Sequence, residues 1–377
     1  MLQDIRIFVV SLQSSNDYEM FGLKKNVSVK RLLVMRFSAM GDVAMTVPVL
    51  YALASQNPQL RITMLTRTRF VPMFDWLPAN VQVKGIEFKE NDGIAGLTKI
   101  YKNLRKEHYD AVADLHDVLR SKYLRTCFAL SGVRVAVVKK GRKEKKELIG
   151  HGQTHQALQP MTDRYASVFR QLGLQIDLSR SMQLDLRDES FSSICKLAGS
   201  KGEGERWVGV APFAAHAQKV YPLCRMRNVV NQLADSGCKV FLFGAGPKEA
   251  EVMASWEKDY VPATSDVAQG AVISTCGRLD GLRSEMLLMS RLRLMISMDS
   301  ANMHIASIFG IPVLSIWGAT HPKAGFSGFG QKPESEMQLD LPCRPCSIYG
   351  KTPCQYGDLR CMNIDEKAVV EKAISML

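Results

Sequence analysis

Between residues 32 and 54 the hydrophobic period of the chain changes once, abruptly. Leu32 to Phe37 is a nearly unbroken apolar run of strand length, and Val43 to Ala54 is apolar at helical spacing. The intervening Ser38-Ala39-Met40-Gly41-Asp42 is mostly small or polar. This is a strand, a tight turn and a helix with a carboxylate in its first turn. The same grammar returns along the chain. Strands are predicted at Arg61–Thr66, Asn80–Phe88, Tyr109–Leu115, Arg134–Val138, Trp207–Ala211, Lys239–Phe243, Val272–Thr275, Leu294–Met298 and Val313–Trp317, the last core strand. Helical stretches separate most of them, and Asp365–Leu377 reads as a terminal helix. Alternation of this kind folds as α/β with parallel sheets covered on both faces.

At 377 residues, two domains are expected rather than one. The polar stretch Arg187–Glu205, closed by Lys201-Gly202-Glu203-Gly204-Glu205, is the expected boundary. The chain then divides into a 1–30 extension, a first domain over 31–204, a second over 205–361 and a terminal helix over 362–377. Leu174–Leu186 alternates weakly, as a strand would. No apolar run reaches the roughly 18 residues of a membrane span. Ile5–Leu12 is a short apolar patch behind Asp4, without a convincing cleavage site, and is not read as a signal peptide. No HExxH, Walker A or nucleophile-elbow sequence occurs, which argues against zincin proteases, NTPases of that class and α/β-hydrolases.

Formal net charge is +12, which suits an anionic partner. Its densest source is Lys139–Glu147, with six positive and two negative residues. Such a run reads as a solvated loop, or as a docking loop for a phosphorylated acceptor or an acidic membrane face. Nucleic acid is disfavoured, because no aromatic interleaving accompanies it. Of nine cysteines, five are scattered, and an odd count without a signal argues for a reducing compartment. Cys343, Cys346, Cys354 and Cys361 form C-x2-C-x7-C-x6-C, a spacing open to a tetrahedral zinc site, free thiols or a redox pair.

Four segments could carry chemistry. Asp42 is either a helix N-cap or a general base at the carboxyl end of a parallel strand. Asp299-Ser300-Ala301-Asn302-Met303-His304 lies between a strand and an apolar helix, where free N–H groups and a partial positive charge attract phosphate. A bland alternative makes Asp299 the helix cap and His304 a packed residue. Lys219, within Ala211-Pro212 to Tyr221-Pro222, reads on residue type alone as a solvated lysine. Gly244-Ala245-Gly246-Pro247 leads to Glu249, with Glu251 close behind; a Gly-rich loop alone is a weak signal, and a carboxylate is favoured in a helix's first turn.

Together these segments resemble glycosyltransferase family 9, the heptosyltransferases. Arg36-Phe37-Ser38, Gly41-Asp42-Val43 and Thr46-x-Pro48 match R-(F/L)-S-x-(M/L)-G-D-(V/I)-x-x-(T/S)-x-P. Asp299 to His304 matches D-(S/T)-(G/A)-x-x-H, with Ala301 where Gly is common. Lys219 fits P-x-A-x-x-x-x-K-x-(W/Y)-P, although Ala215 and Ala217 stand where relatives carry a helpful hydroxyl. Gly318-Ala319-Thr320-His321-Pro322 resembles G-(P/A)-T-x-P, and His116 to Ser121 resembles the family's second motif.

The resemblance, over roughly residues 31–361, implies a GT-B architecture: two Rossmann-like domains with parallel sheets facing across a central cleft. It also implies a helix over Phe70–Leu77 and a terminal helix returning toward the first domain. The implied enzyme is an inverting glycosyltransferase, moving a heptose or related sugar from an ADP-sugar to a lipopolysaccharide core. Asp42 would be the base. Lys219, Glu249, Asp299, Ser300, Ala301 and His304 would bind the donor, with Asp299 accepting hydrogen bonds from the sugar. Arg120 and Ser38 would meet the anionic acceptor. No cofactor is implied. The location would be cytoplasmic, with peripheral contact at the cytoplasmic face of the inner membrane. The rival expectations are a sugar-nucleotide epimerase of the same architecture and a non-catalytic basic protein of membrane surfaces or nucleic acid.

Overall fold

A run such as Leu32–Met35, apolar at every position, needs cover on both faces, and parallel sheets wrapped in helices supply it. The computed structural model describes residues 28–88, 93–152, 154–180, 182–264 and 270–377. Residues 1–27, most of the expected 1–30 extension, lie outside the described residues. The strands form two parallel sheets. The first contains β1 (Arg31–Met35), β2 (Arg61–Arg67), β3 (Val81–Ile86), β4 (Ala111–Asp114) and β5 (Arg134–Val137), in the order β3-β2-β1-β4-β5. The second contains β6 (Arg206–Ala211), β7 (Cys238–Leu242), β8 (Val272–Ser274), β9 (Leu294–Met298), β10 (Val313–Trp317) and β11 (Glu336–Gln338), in the order β11-β10-β9-β6-β7-β8. β11 adds a strand beyond the one expected to be last.

Counted from its own first strand, the second sheet runs 3-2-1-4-5-6 and the first 3-2-1-4-5. Each is the order of dinucleotide-binding folds. Winding reverses between β1 and β4, and again between β6 and β9. Loops leaving the carboxyl ends at such a reversal diverge, and ligands of open α/β sheets bind there.

Each sheet has its own core. In the second unit, Met226, Val229, Val230 and Leu233 recur at helical spacing along the helix Leu223–Asp235 and pack with Val208, Val240 and Ile296 of the sheet. In the first, Leu33, Met35 and Val112 pack with Leu124 and Phe128 of the helix Leu119–Leu130.

The described residues of Met1–Ala39, Thr46–Lys139 and Thr162–Ser181 form one compact unit, and those of Met40–Met45, Lys140–Met161 and Met182–Leu377 form another. The sequence suggests one crossing near 204; the chain instead visits the second unit twice before that point. Short-range contacts explain both visits. Gly41 lets the helix Met40–Ala44 settle on the helix Ala301–Ile308, as a Cβ at Gly41 would lie 2.9 Å from His304 Cδ2. Residues 140–161 are tied down by Leu158 N–H to Lys323 O (2.8 Å), Met161 N–H to Gly325 O (2.9 Å) and Lys323 Nζ to Gly152 O (2.7 Å).

Other expectations change for physical reasons. The basic run is not a solvated loop: Arg142–Leu148 is a helix, and Lys145 is buried with its ammonium 4.2 Å from the centre of the Phe326 ring. Cation–π attraction and the apolar lysine stem make this burial tolerable. Arg142, Lys143 and Lys146 remain exposed. The terminal helix, Glu366–Ser375, belongs to the second unit, where Tyr221 OH donates to Ile364 O (2.7 Å) and Asn228 Nδ2 to Glu366 Oε2 (3.2 Å). Among the described residues, 174–186 hold no strand, and the helix implied over Phe70–Leu77 is a 3-10 helix over Thr68–Phe74.

Candidate functional site

In the second unit, the loops leaving β6 and β9 meet. After β6 the chain passes through the turn Ala217–Lys219, and after β9 it turns at Asp299-Ser300 into the helix Ala301–Ile308. Lys219 Nζ lies 2.7 Å from Asp299 Oδ2 and donates to Asp299 O at 3.1 Å. Both side chains are largely buried, at 15% and 8% exposure. Asp299 therefore neither caps the helix nor stands ready for sugar hydroxyls alone; its carboxylate is engaged by lysine. Ser300 occupies the N-cap position without a side-chain cap bond, its hydroxyl 3.1 Å from Ser297 Oγ. Ala301 opens the helix without a left-handed backbone, so the residue where relatives carry Gly is unstrained.

His304 sits one turn into this helix, buried, and its Nδ1 has no hydrogen-bond partner. Burial drives its pKa down to about 4, against the pull of Asp299 and Asp42 and with help from Lys219. Asp42 thus lies within electrostatic reach of His304, in the first turn of the helix that Gly41 docks. The sequence signal for Gly41 was its place in the motif; its reason is the close approach to Ala301 and His304.

The sign of the pH effect follows. A histidine with a folded-state pKa near 4 and an unfolded value near 6.5 leaves stability untouched above pH 6.5. Stability falls as pH drops through 6.5 and levels off below about 4, by about 3 kcal/mol for such a buried ring. His321, which accepts from Lys323 N–H at Nδ1, is also driven down to about 4 by burial and by Arg344. Urea titrations at pH 7 and pH 4.5 should show a steep loss in the native chain. The His304→Asn variant should lose roughly half of that slope, and an unchanged slope would count against a buried neutral His304.

Glu249 follows β7 in the first turn of the helix Pro247–Asp259, with Oε2 accepting from Ala245 N–H at 2.8 Å. Glu251 is exposed. After β10, the Gly318–Pro322 turn is organised by Arg344, which the sequence reading did not single out. Its buried guanidinium donates to Trp317 O (3.1 Å), Gly318 O (2.5 Å), Thr320 O (2.9 Å) and Leu339 O. An arginine amid Leu-Pro-Cys-Arg-Pro-Cys was the available clue.

The first unit holds Ser38 and Arg120. Ser38 follows β1, and its hydroxyl lies 3.4 Å from His116 Nε2, while Phe37 N–H reaches His116 Nδ1 at 3.4 Å. His116 follows β4, so the two meet at that sheet's reversal. Asp114 accepts from His116 N–H (2.9 Å), Asp117 N–H (2.8 Å) and Arg125 (2.9 Å), closing the turn. Arg120 is exposed, its guanidinium 4.6 Å from the Phe88 ring centre.

The four clustered cysteines are free thiols, and among the described residues no group of three or more His, Cys, Asp or Glu side chains is arranged to hold a metal ion. The tetrahedral zinc geometry that the spacing allows is not formed. Cys343, Cys346 and Cys361 lie within electrostatic reach of Arg344: Cys361 is buried, and burial pushes its thiol up to about 11, whereas the N–H groups of Tyr356 and Leu359 hold Cys354 below the usual thiol range. Among the described residues no helix is long and apolar enough to cross a membrane.

Residues 97–352 match the family described as glycosyltransferase family 9 (heptosyltransferase). The chain is 25% identical over 297 residues to lipopolysaccharide heptosyltransferase 3 of Escherichia coli, covering 76% of this chain and 82% of that one. It superposes on the family 9 glycosyltransferase from Veillonella parvula DSM 2008 with a TM-score of 0.70, 19% identity and coverage of 93% and 98%. For E. coli ADP-heptose LPS heptosyltransferase II the TM-score is 0.66, with 19% identity and coverage of 92% and 98%. At these identities the structural likeness speaks for the fold.

Proposed function

We propose, from the premise that the chain belongs to glycosyltransferase family 9, that it moves a heptose or related sugar from an ADP-sugar to a lipopolysaccharide core, inverting the anomeric carbon. That it is a glycosyltransferase follows from the family. One observation carries the finer reading. Lys219, Asp299, Asp42 and the unpartnered Nδ1 of His304 converge on a helix N-terminus that lacks a side-chain cap. Such an end attracts phosphate through its free N–H groups and dipole. Similarity to the E. coli ADP-heptose enzyme favours ADP as the nucleotide.

In this reading an acceptor hydroxyl attacks the anomeric carbon and gives its proton to Asp42. The bond from that carbon to the diphosphate oxygen breaks, and its electron pair leaves with the diphosphate. Lys219 and the N–H groups of the first helical turn take up the developing charge. Asp299 holds the lysine in place, and neutral His304 offers Nδ1 to a donor hydroxyl. Glu249 meets the ribose diol. Exposed Arg120, with Ser38, faces an anionic acceptor, and Arg142, Lys143 and Lys146 supply attraction to acidic lipid, about 1 kcal/mol each near the surface.

A thermal-shift panel of ADP-, GDP-, UDP- and dTDP-sugars tests the donor. An ADP-sugar at 100 times its dissociation constant should stabilise the protein by about 2.7 kcal/mol, with the other nucleotides well behind. No shift from any of them would end the donor reading. Turnover of donor without acceptor would favour the epimerase alternative.

A further inference from the structure

A lysine presents its charge at the end of a flexible stem, and ordering that stem costs conformational freedom. In Lys219 the charged end is held by Asp299, at 2.7 Å to Oδ2 and 3.1 Å to the backbone oxygen. The stem is held by a different part of the chain. Gly350 has φ of +76°, and a Cβ built there would lie 2.8 Å from Lys219 Cγ, 3.0 Å from Cε and 3.2 Å from Cδ. Backbone at 350 therefore fills the space along one side of the stem, which only a residue without a side chain allows.

That backbone is itself anchored. Gly350 lies in the cysteine-bearing segment 343–361, which Arg344 ties to the carbonyls of Trp317, Gly318 and Thr320 at the end of β10. The N–H groups of Cys346 and Ser347 both reach Ala319 O, at 3.1 and 3.3 Å. Ser347 Oγ in turn accepts from Lys351 N–H at 3.0 Å and Thr352 N–H at 3.4 Å, closing the turn that carries Gly350. From Arg344 to Gly350 this is one connected hydrogen-bonded support, and it ends on the lysine.

We propose that Gly350 is a positioning residue for Lys219, and that segment 343–361 is a brace fixing the stem so that Nζ meets the donor diphosphate without first being ordered. The proposal rests on the donor reading above. Preorganisation of this kind appears in donor affinity and in the donor KM, and leaves the acceptor KM alone.

The test is a double-mutant cycle on the full chain, with ADP as the probe in calorimetry and unfolding temperature recorded for every variant. G350A and G350N should each weaken ADP binding about tenfold. Asparagine tolerates positive φ better than alanine, so a shared loss points to the stem contact and not to backbone strain. In the K219A background, adding G350A should cost no further affinity, because alanine at 219 leaves no stem to displace. An equal loss from G350A with or without Lys219 would overturn the brace, as would wild-type affinity in G350N. If K219A alone bound ADP as tightly as the native chain, the donor reading itself would fall. Steady-state kinetics on G350N should raise the donor KM with the acceptor KM unchanged; a rise in both would also sink the proposal.

Discussion

Asp42→Asn should lower kcat by about two to four orders of magnitude, the usual cost of losing a general base, with little change in ADP affinity. The substitution keeps the size of the side chain and its place in the first turn of Met40–Ala44, so Gly41 can still pack on Ala301 and His304. What disappears is the charge, and with it the ability to accept a proton. His304 is a poor substitute, because its ring is buried and burial disfavours the positive charge it would carry after accepting a proton. Asp299 is a poor substitute for a different reason: its carboxylate is bound to Lys219 at 2.7 Å and would have to leave that partner to reach an acceptor. Near-normal transfer by Asp42→Asn, combined with loss of transfer in Asp299→Asn, would show that the base has been misassigned.

The second large effect is expected at the Lys219–Asp299 pair, in stability as well as in turnover. Lys219→Met keeps most of the stem and removes the charge. It leaves the Asp299 carboxylate, 8% exposed, without its ion partner. Breaking such a pair costs about 3–5 kcal/mol, because a desolvated charge is left behind, whereas replacing both partners costs far less. Lys219→Met should therefore lower the urea midpoint sharply, and the double variant Lys219→Met with Asp299→Asn should recover most of it. Activity should follow neither trend. Both variants lack the cation that the proposed reading sets against the leaving group, so both should be nearly inactive and should bind ADP weakly. Activity restored by the double variant would mean that Lys219 serves the fold and not the diphosphate.

Much of the candidate site was legible because family motifs mark chain positions. Gly41-Asp42, Lys219 and Asp299 to His304 were each found in this way, and each lies in the second unit, on loops or first helical turns beyond the sheet. Arg344 and Gly350 left almost no trace. One is a lone arginine between cysteine and proline, the other a glycine in a loop, and neither type at that spacing signals a role. Lys145 was misread for a related reason. A run of like charges usually stays in water, and nothing local announces that Phe326, far along the chain, will offer it a ring. The cysteine spacing left zinc, free thiols and a redox pair open, since close spacing brings four thiols into one segment without fixing whether they aim at a common point; among the described residues they are free thiols.

By itself, the sequence determined the local elements: apolar runs of period two or none became strands, apolar residues at helical spacing became covering helices, and their alternation required parallel sheets. The side chain attraction or clash that decides these choices lies within a few residues. Only the tertiary structure decided the strand order β11-β10-β9-β6-β7-β8, the pairing of Lys219 with Asp299, the docking of Asp42's helix on His304 and the close approach of Gly350 to the lysine stem. Those contacts join residues far apart in the chain. The Lys219–Asp299 pair exists because the winding of the sheet reverses between β6 and β9 and brings their loops together; the other two rest on the close packing at Gly41 and on the Arg344 network, and no local pattern encodes any of the three.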